Sequence, residues 1–261
     1  MSQHPGTLLV VGSTGSVGRL VLQEAMKSGW NVRALIRSPD RAKDLPTDVQ
    51  PVVGDLTDAD SLSDVVEGVD AVVFTHGAHG SQTDMEKVDY GGVRNILAAL
   101  GDHPCRVALM TAIGVTNREG SYNRTTHGPD WKRRSERLVR ASGRPYTIVR
   151  PGWFDYNAAD EQSPVFLQGD RRRAGNPSDG SIARQQIARI LVAALTSQAA
   201  NRKTFELVSK RGERPRDLEP LFTELDPDPL GALDAVRDED NMPLSHEPER
   251  VREDLEGQGR Y

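Results

Sequence analysis

The chain has a single cysteine, Cys105, among its 261 residues. No internal disulfide framework can form, and such cysteine usage fits a reducing compartment. Aromatic residues make up only 5%, so the core must be mainly aliphatic. No apolar run approaches the length needed to span a bilayer. No N-terminal stretch combines a basic region, an apolar core and a small-residue cleavage site, so the cytoplasm is the expected location. There is no surplus of positive charge either. The formal net charge of −5 gives no general attraction to nucleic acid. His76 and His79 form an H-x-x-H pair, but further ligands at zinc-like spacing are lacking, and no metal is expected. Internal repeats and low-complexity tracts are also lacking.

What the sequence does contain is an alternation of apolar runs and helical patterns. Strand-like runs lie at Leu8–Val11, Val32–Ile36, Gln50–Val53, Ala71–Phe74, Val107–Met110, Tyr146–Val149 and Thr204–Val208. Helical periodicity occurs at Val17–Lys27, Asp60–Glu67, Met85–Leu100, Trp131–Ala141 and Ala183–Ser197. Continuous apolar strands between helices predict a parallel sheet covered on both faces. Right-handed crossovers then make it doubly wound, a Rossmann-type α/β fold. After Pro151 prolines and glycines break the pattern. Residues 1–261 are expected to form one domain, with 151–185 and 209–261 as a small, irregular substrate-side cap and C-terminal extension. Short helices on the sheet edge and a mobile last turn are expected there. Charge is uneven: residues 118–150 are rich in arginine, and the tail from Glu213 is mostly acidic. Both read as solvated surface.

The segment Gly12-Ser13-Thr14-Gly15-Ser16-Val17-Gly18 joins the first strand to the first helix. Apolar strand, glycine turn and helix together are the setting of a dinucleotide site. One glycine permits the tight turn, the next lets amides approach a pyrophosphate, and the last lets helix and strand pack closely. Amides at the helix start face the anion with the helix dipole behind them. The spacing is G-x-x-G-x-x-G rather than G-x-G-x-x-G, and a plain βα turn of small residues would also fit. The second strand ends at Arg37, with Arg41 one turn on, where an NAD site usually has an acid. A guanidinium there can pair with a 2′-phosphate, which favours NADP(H). Asp55 could accept from an adenine amino group, with Leu56 packing nearby, or it could cap a turn. Thr75, His76 and Gly77 follow the fourth strand, where small residues let backbone pass close to the cofactor. Thr111, after the fifth strand, could bond a substrate oxygen or serve a turn. Lys132 could bond the nicotinamide ribose and place positive charge near the reacting carbon. Equally, Lys132 and Glu136 could form an ordinary surface pair.

These residues resemble the short-chain dehydrogenase/reductase superfamily, and more narrowly its atypical, NmrA-like NAD(P)-binding branch. The resemblance rests on Gly12–Gly18, Arg37, Gly54-Asp55-Leu56, Lys132 with Glu136, Ser142 to Gly152, and Ile182-Ala183-Arg184-Gln185-Gln186-Ile187-Ala188. It implies a parallel sheet of about seven strands that binds NADP(H), with substrate held after Arg150-Pro151-Gly152. Trp153, Phe154 and Tyr156 would wall that pocket or serve as core and edge aromatics. Some relatives pair through helices matching Met85–Leu100 and Trp131–Ala141, so a monomer or a homodimer is expected. The chain departs from the family's Y-x-x-x-K: counting back from Lys132 places Gly128 at the tyrosine. The family's serine falls near Thr111 or Ala112, with Ala112 in the best register. A glycine cannot supply a proton, which leaves Tyr122, His76, His127 and Tyr156 as alternative donors. The expected function is therefore an NADP(H)-dependent oxidoreductase acting on a small organic substrate, with Lys132 and Thr111 as its catalytic candidates. The alternatives are a non-catalytic NADP(H) sensor or scaffold and a sugar-nucleotide epimerase or dehydratase.

Overall fold

A computed structural model of the chain describes residues 5–78 and 80–258. The strands, in chain order, are β1 (Thr7–Val11), β2 (Asn31–Ile36), β3 (Gln50–Val53), β4 (Ala71–Phe74), β5 (Arg106–Met110), β6 (Tyr146–Pro151), β7 (Trp153–Phe154), β8 (Ser163–Leu167), β9 (Ser181–Ile182) and β10 (Lys203–Lys210). The helices are α1 (Gly18–Lys27), α2 (Ser63–Val66), α3 (Gln82–Met85), α4 (Gly91–Leu100), α5 (Ser121–Thr126), α6 (Gly128–Ala141), α7 (Arg184–Ala194), α8 (Glu219–Thr223) and α9 (Glu249–Gln258).

Eight strands form one sheet in the order β3-β2-β1-β4-β5-β6-β10-β8. Seven of them are parallel, as expected. The eighth, β8, runs antiparallel along β10, with Phe166 opposite Leu207. Sequence reading left β8 unassigned because Pro164 interrupts it. Proline is tolerated there because β8 is an edge strand. The two-residue strands β7 and β9 pair in a separate parallel ladder.

Side-chain alternation divides the core into two layers. Leu8 and Val10 of β1 join Val21 and Leu22 of α1 and Ile187 and Leu191 of α7 on one face. Leu9 and Val11 point the other way, toward Val65 of α2, Ile96 of α4 and Leu138 of α6. Both faces are therefore dry, which explains why Leu8–Val11 of β1 and Ala71–Phe74 of β4 read as unbroken apolar runs.

Chain order reverses between β1 and β4, so a crevice opens beyond their carboxyl ends. The residues after β1 and β4 face each other across it.

Three expectations are corrected. The helix predicted at Met85–Leu100 is broken: α3 and α4 flank a π-helical turn, Glu86–Tyr90. The pattern at Asp60–Glu67 starts as a 3-10 turn, Ala59–Leu62, before α2. The arginine-rich segment and the acidic tail are not separate solvated surfaces. Arg133, Arg134, Arg137 and Arg140 of α6 are buried, and their partners come from the tail. Arg133 and Arg137 both pair with Asp234, at 2.9 and 2.6 Å. Arg134 pairs with Glu247 at 2.5 Å and Arg140 with Asp228 at 3.1 Å. The tail thus sheathes α6, and α9 adds Val251 and Leu255 to the core layer beneath it.

Candidate functional site

The glycine turn is built by backbone constraints. Gly12 has φ +82°, and a Cβ there would lie 2.6 Å from the His76 nitrogen. Only glycine allows the strand β1 exit and the β4 exit to come so close. Gly15 donates its N–H to the Gly12 carbonyl at 3.0 Å. A Cβ on Gly18 would collide with that same carbonyl, so α1 can start directly against the turn only with glycine. The Ser13 hydroxyl is buried and donates to the Leu35 carbonyl at 2.7 Å, which ties the turn to β2. The Thr14 carbonyl accepts from Arg19 Nε at 3.0 Å. Ser16 lies exposed at the mouth, where its hydroxyl meets Arg184 Nε at 3.1 Å. The main-chain N–H groups of Ser16 and Val17 have no acceptor among the described residues. Helix α1 has neither a side-chain N-cap nor an acid in its first turn. Its positive end is uncompensated and ready for an anion.

Arg37 is exposed just beyond β2 and forms no ion pair among the described residues. Arg41 differs, since Asp44 engages it at 3.3 Å. The Asp55 carboxylate accepts from the Thr57 N–H and hydroxyl, both at 2.8 Å. Those bonds lower its pKa, with a smaller contribution from the Arg37 charge. Leu56 packs under Gly92, and its carbonyl accepts from Asn95 Nδ2 at 2.7 Å.

On the β4 side, the Thr75 hydroxyl donates to the Val11 carbonyl at 2.9 Å and holds the two strand exits together. The His76 ring packs edge-on to Phe74, and its buried Nδ1 has no partner among the described residues. Burial outweighs the nearby Asp89 carboxylate, and with the Lys132 charge it pushes His76 down to about 4. The ring is therefore neutral near pH 7. Gly77 is exposed, and a Cβ there would sit 3.6 Å from Lys132 Nζ. His79 lies outside the described residues.

Lys132 does not pair with Glu136. Its ammonium lies 3.1 Å from Asp89 Oδ2, and Asp89 Oδ1 accepts the Ala78 N–H at 2.9 Å. Asp89 comes from the π-helical turn, a feature often found at functional sites. Sequence reading missed Asp89. The available signal was an acid inside an apolar helical stripe, just ahead of Gly91-Gly92.

Glu136 is instead the buried hub of a charge lattice. It accepts from the Thr111 hydroxyl at 2.7 Å, Arg150 Nη2 at 2.7 Å and Arg140 Nη2 at 3.3 Å. Burial alone would raise its pKa, but Arg150 and Arg140 hold it down at about 2. Arg150 also meets Asp238 at 2.7 Å and Glu206 at 3.2 Å. The Thr111 hydroxyl is thus committed inside the protein. Gly128 opens α6 against Met85: a Cβ would lie 2.6 Å from its Sδ. The thioether fills the slot that a tyrosine side chain would need to enter. Tyr122 and Tyr156 are both largely exposed, and Tyr156 packs edge-on to Trp153.

The structure therefore brings Gly12–Val17, Thr75–Gly77 and Lys132 to one crevice, with Arg37, Asp55 and Leu56 beyond the next strands. Among the described residues no cluster of His, Cys, Asp and Glu could hold a metal ion. No helix among them is long and apolar enough to cross a membrane.

Comparison with known proteins agrees with this geometry. Sanguinarine reductase of Eschscholzia californica is 25% identical over 263 residues, covering 84% of this chain and 96% of that protein. The (4-alkanoyl-5-oxo-2,5-dihydrofuran-3-yl)methyl phosphate reductase of Streptomyces griseus is 31% identical over 190 residues, covering 72% of this chain and 63% of that one. Among solved structures, a Bacillus halodurans protein assigned to the NAD-dependent epimerases/dehydratases shares the fold with a TM-score of 0.70 and 23% identity. It is covered completely by 84% of this chain. A family model described as NAD(P)H-binding matches residues 12–198, and the chain belongs to that family.

Proposed function

We propose that the chain is an NADP(H)-dependent reductase of the NmrA-like branch, acting on a small organic molecule. The observation that carries this reading is Lys132, held 3.1 Å from Asp89 beside exposed Gly77, on the same crevice as the glycine turn. Two relatives of this chain are named as reductases of small organic compounds.

The residues present fit the cofactor. The Ser16 and Val17 amides, with the α1 dipole behind them, would bind its diphosphate. Arg37 would pair with the 2′-phosphate, and Asp55 and Leu56 would border the adenine. NADPH, when bound, supplies a hydride. Lys132 is positioned to donate to a ribose hydroxyl and to keep positive charge at the reacting end. Its side chain is 23% exposed, so the ammonium remains open to the crevice while Asp89 fixes it. His76, neutral near pH 7, offers a hydrogen bond from a half-buried ring rather than a charged acid.

The test is NADPH consumption with a panel of quinones, aldehydes and enones. Turnover is expected on at least one class, and a Lys132→Met variant should lose about tenfold to a hundredfold in kcat. Failure of every class would remove the reductase reading.

A second reading is favoured by Met85 occupying the slot beside Gly128: a non-catalytic NADP(H) sensor. Cofactor binding would then order residues 114–131. Hydrogen exchange that is the same there with and without NADPH would eliminate it.

A further inference from the structure

A second cavity, of about 510 Å³, opens at the far edge of the sheet, between β8, the end of β10 and α8. It lies on the opposite side of the sheet order from Arg37, with β10 and β8 as the last two strands. Its volume suits a small organic ligand.

The walls carry two kinds of surface. Apolar area comes from Ile113, Phe166 and Leu221. Phe166 is fixed by stacking on Phe205 at 4.2 Å between ring centres and by contact with Phe222, so that wall is preformed. Positive charge comes from Arg171, Arg172, Lys210 and Arg237.

Three of these cations, Arg171, Arg172 and Lys210, differ from the buried arginines of the chain. The α6 arginines and Arg150 all have carboxylate partners. Arg173, next in sequence, pairs with Glu239 at 2.6 Å, and Arg237 pairs with Asp226. Arg172 reaches only the Asp179 carbonyl, at 3.0 Å. Among the described residues, no carboxylate lies within ion-pair distance of Arg171, Arg172 or Lys210. Three uncompensated cations around one concave, partly apolar space stand out in a chain of net charge −5.

Two acids also line the cavity, Glu206 and Glu224. Glu224 is exposed at the rim. Glu206 is buried, bonded to Arg150 and to the Asp170 N–H at 3.1 Å. Burial pushes its pKa up to about 7, and the neighbouring Asp170 and Asp238 add to that. Its repulsion of an anion is correspondingly reduced.

We propose that this cavity binds a small organic anion, a carboxylate or phosphate monoester carried on an apolar body, separately from the dinucleotide crevice. The apolar wall would take the body of the ligand. Arg171, Arg172 and Lys210 would take the anionic group through charge-assisted hydrogen bonds. This inference stands independently of the reductase reading.

Calorimetric titration of the full chain tests it, with phenyl phosphate and benzoate as probes and phenol and inorganic phosphate as controls. At least one aromatic anion should bind more tightly than phenol and than inorganic phosphate, and should bind equally well to protein saturated with NADPH. Arg171→Glu combined with Lys210→Glu should weaken that binding by about tenfold or more. NADPH affinity and the far-ultraviolet circular dichroism spectrum of the variant should not change. Three results would each overturn the proposal. They are no heat with either aromatic anion, phenol binding as well as phenyl phosphate, and loss of the anion signal on saturation with NADPH. Unchanged anion binding in the double variant would also overturn it. Absence of NADPH binding with anion binding intact would instead count against the cofactor site alone.

Discussion

The glycine turn of residues 12–18 contains no charged side chain, whereas α6 carries four buried arginines within eight positions, Arg133 to Arg140. The turn works through what is missing from it. Without a Cβ at Gly12 and Gly18, main chain can lie on main chain, and donors are left free at a helix start. The α6 region works through saturation: each buried guanidinium meets a carboxylate, and Glu136 is shared by Arg150, Arg140 and Thr111. The first arrangement keeps binding capacity in reserve for a ligand. The second uses its capacity internally, where breaking one partner leaves the other charged and buried. A residue that reads as functional from its place after a strand can therefore be architectural, as Thr111 illustrates.

The contrast can be broken most severely at its charged side. Glu136→Ala should cost about 3–5 kcal/mol in urea unfolding, because Arg140 and Arg150 lose their shared partner. A loss below about 1 kcal/mol would show that the lattice relaxes around the gap.

On the other side, one methyl group should suffice. Gly18→Ala pushes α1 off the Gly12 carbonyl, and NADPH affinity should fall about tenfold to a hundredfold in a fluorescence titration. Arg37→Asp is gentler on the fold and more selective. It should weaken NADPH binding about tenfold more than NADH binding, since only the former carries the 2′-phosphate. Equal losses would show that Arg37 does not read that phosphate.

The smallest expected effect lies where the lattice is over-supplied with acid. Arg150 faces Glu136, Asp238 and Glu206 together, and Glu206 is the one whose pKa rises, from 4.5 to about 7. Between those pH values the folded chain holds more protons than the unfolded one, so this group makes stability fall as pH rises. Glu136 acts oppositely: its value drops to about 2, and its contribution is lost as pH falls below 4.5. Glu206→Gln should therefore remove part of the decline in Tm between pH 5 and 8, by on the order of a few degrees. An unchanged pH profile would mean that Glu206 is already ionised in the folded chain at pH 5.

The same contrast explains what the sequence made legible. Strand cores such as Leu8–Val11 and the turn that follows are dictated by neighbours in sequence, and reading them locally recovers seven parallel strands and the glycine cradle. Lys132 stands out in the sequence, but its partner Asp89 lies on another element, reached through a π-turn that periodicity does not reveal. The α6 arginines find their acids about a hundred residues later, as in Arg133 with Asp234. Charge spacing along a helix looks the same whether the face is wet or sheathed. The strand β8 was hidden by Pro164, whose cost vanishes only because no further strand needs its missing donor.

The sheath over α6 also has a consequence for how the molecule is made. Helix α6 leaves the ribosome roughly a hundred residues before Asp228, Asp234 and Glu247, the groups that neutralise it. During that interval the nascent chain carries a cationic helix without its acidic partners, beside strands β1–β5, whose candidate crevice residues 12–132 have already been made. Assembly of the ligand-holding half can thus precede completion of the fold, and the closing event is the docking of an acidic strap onto a helix that has waited for it.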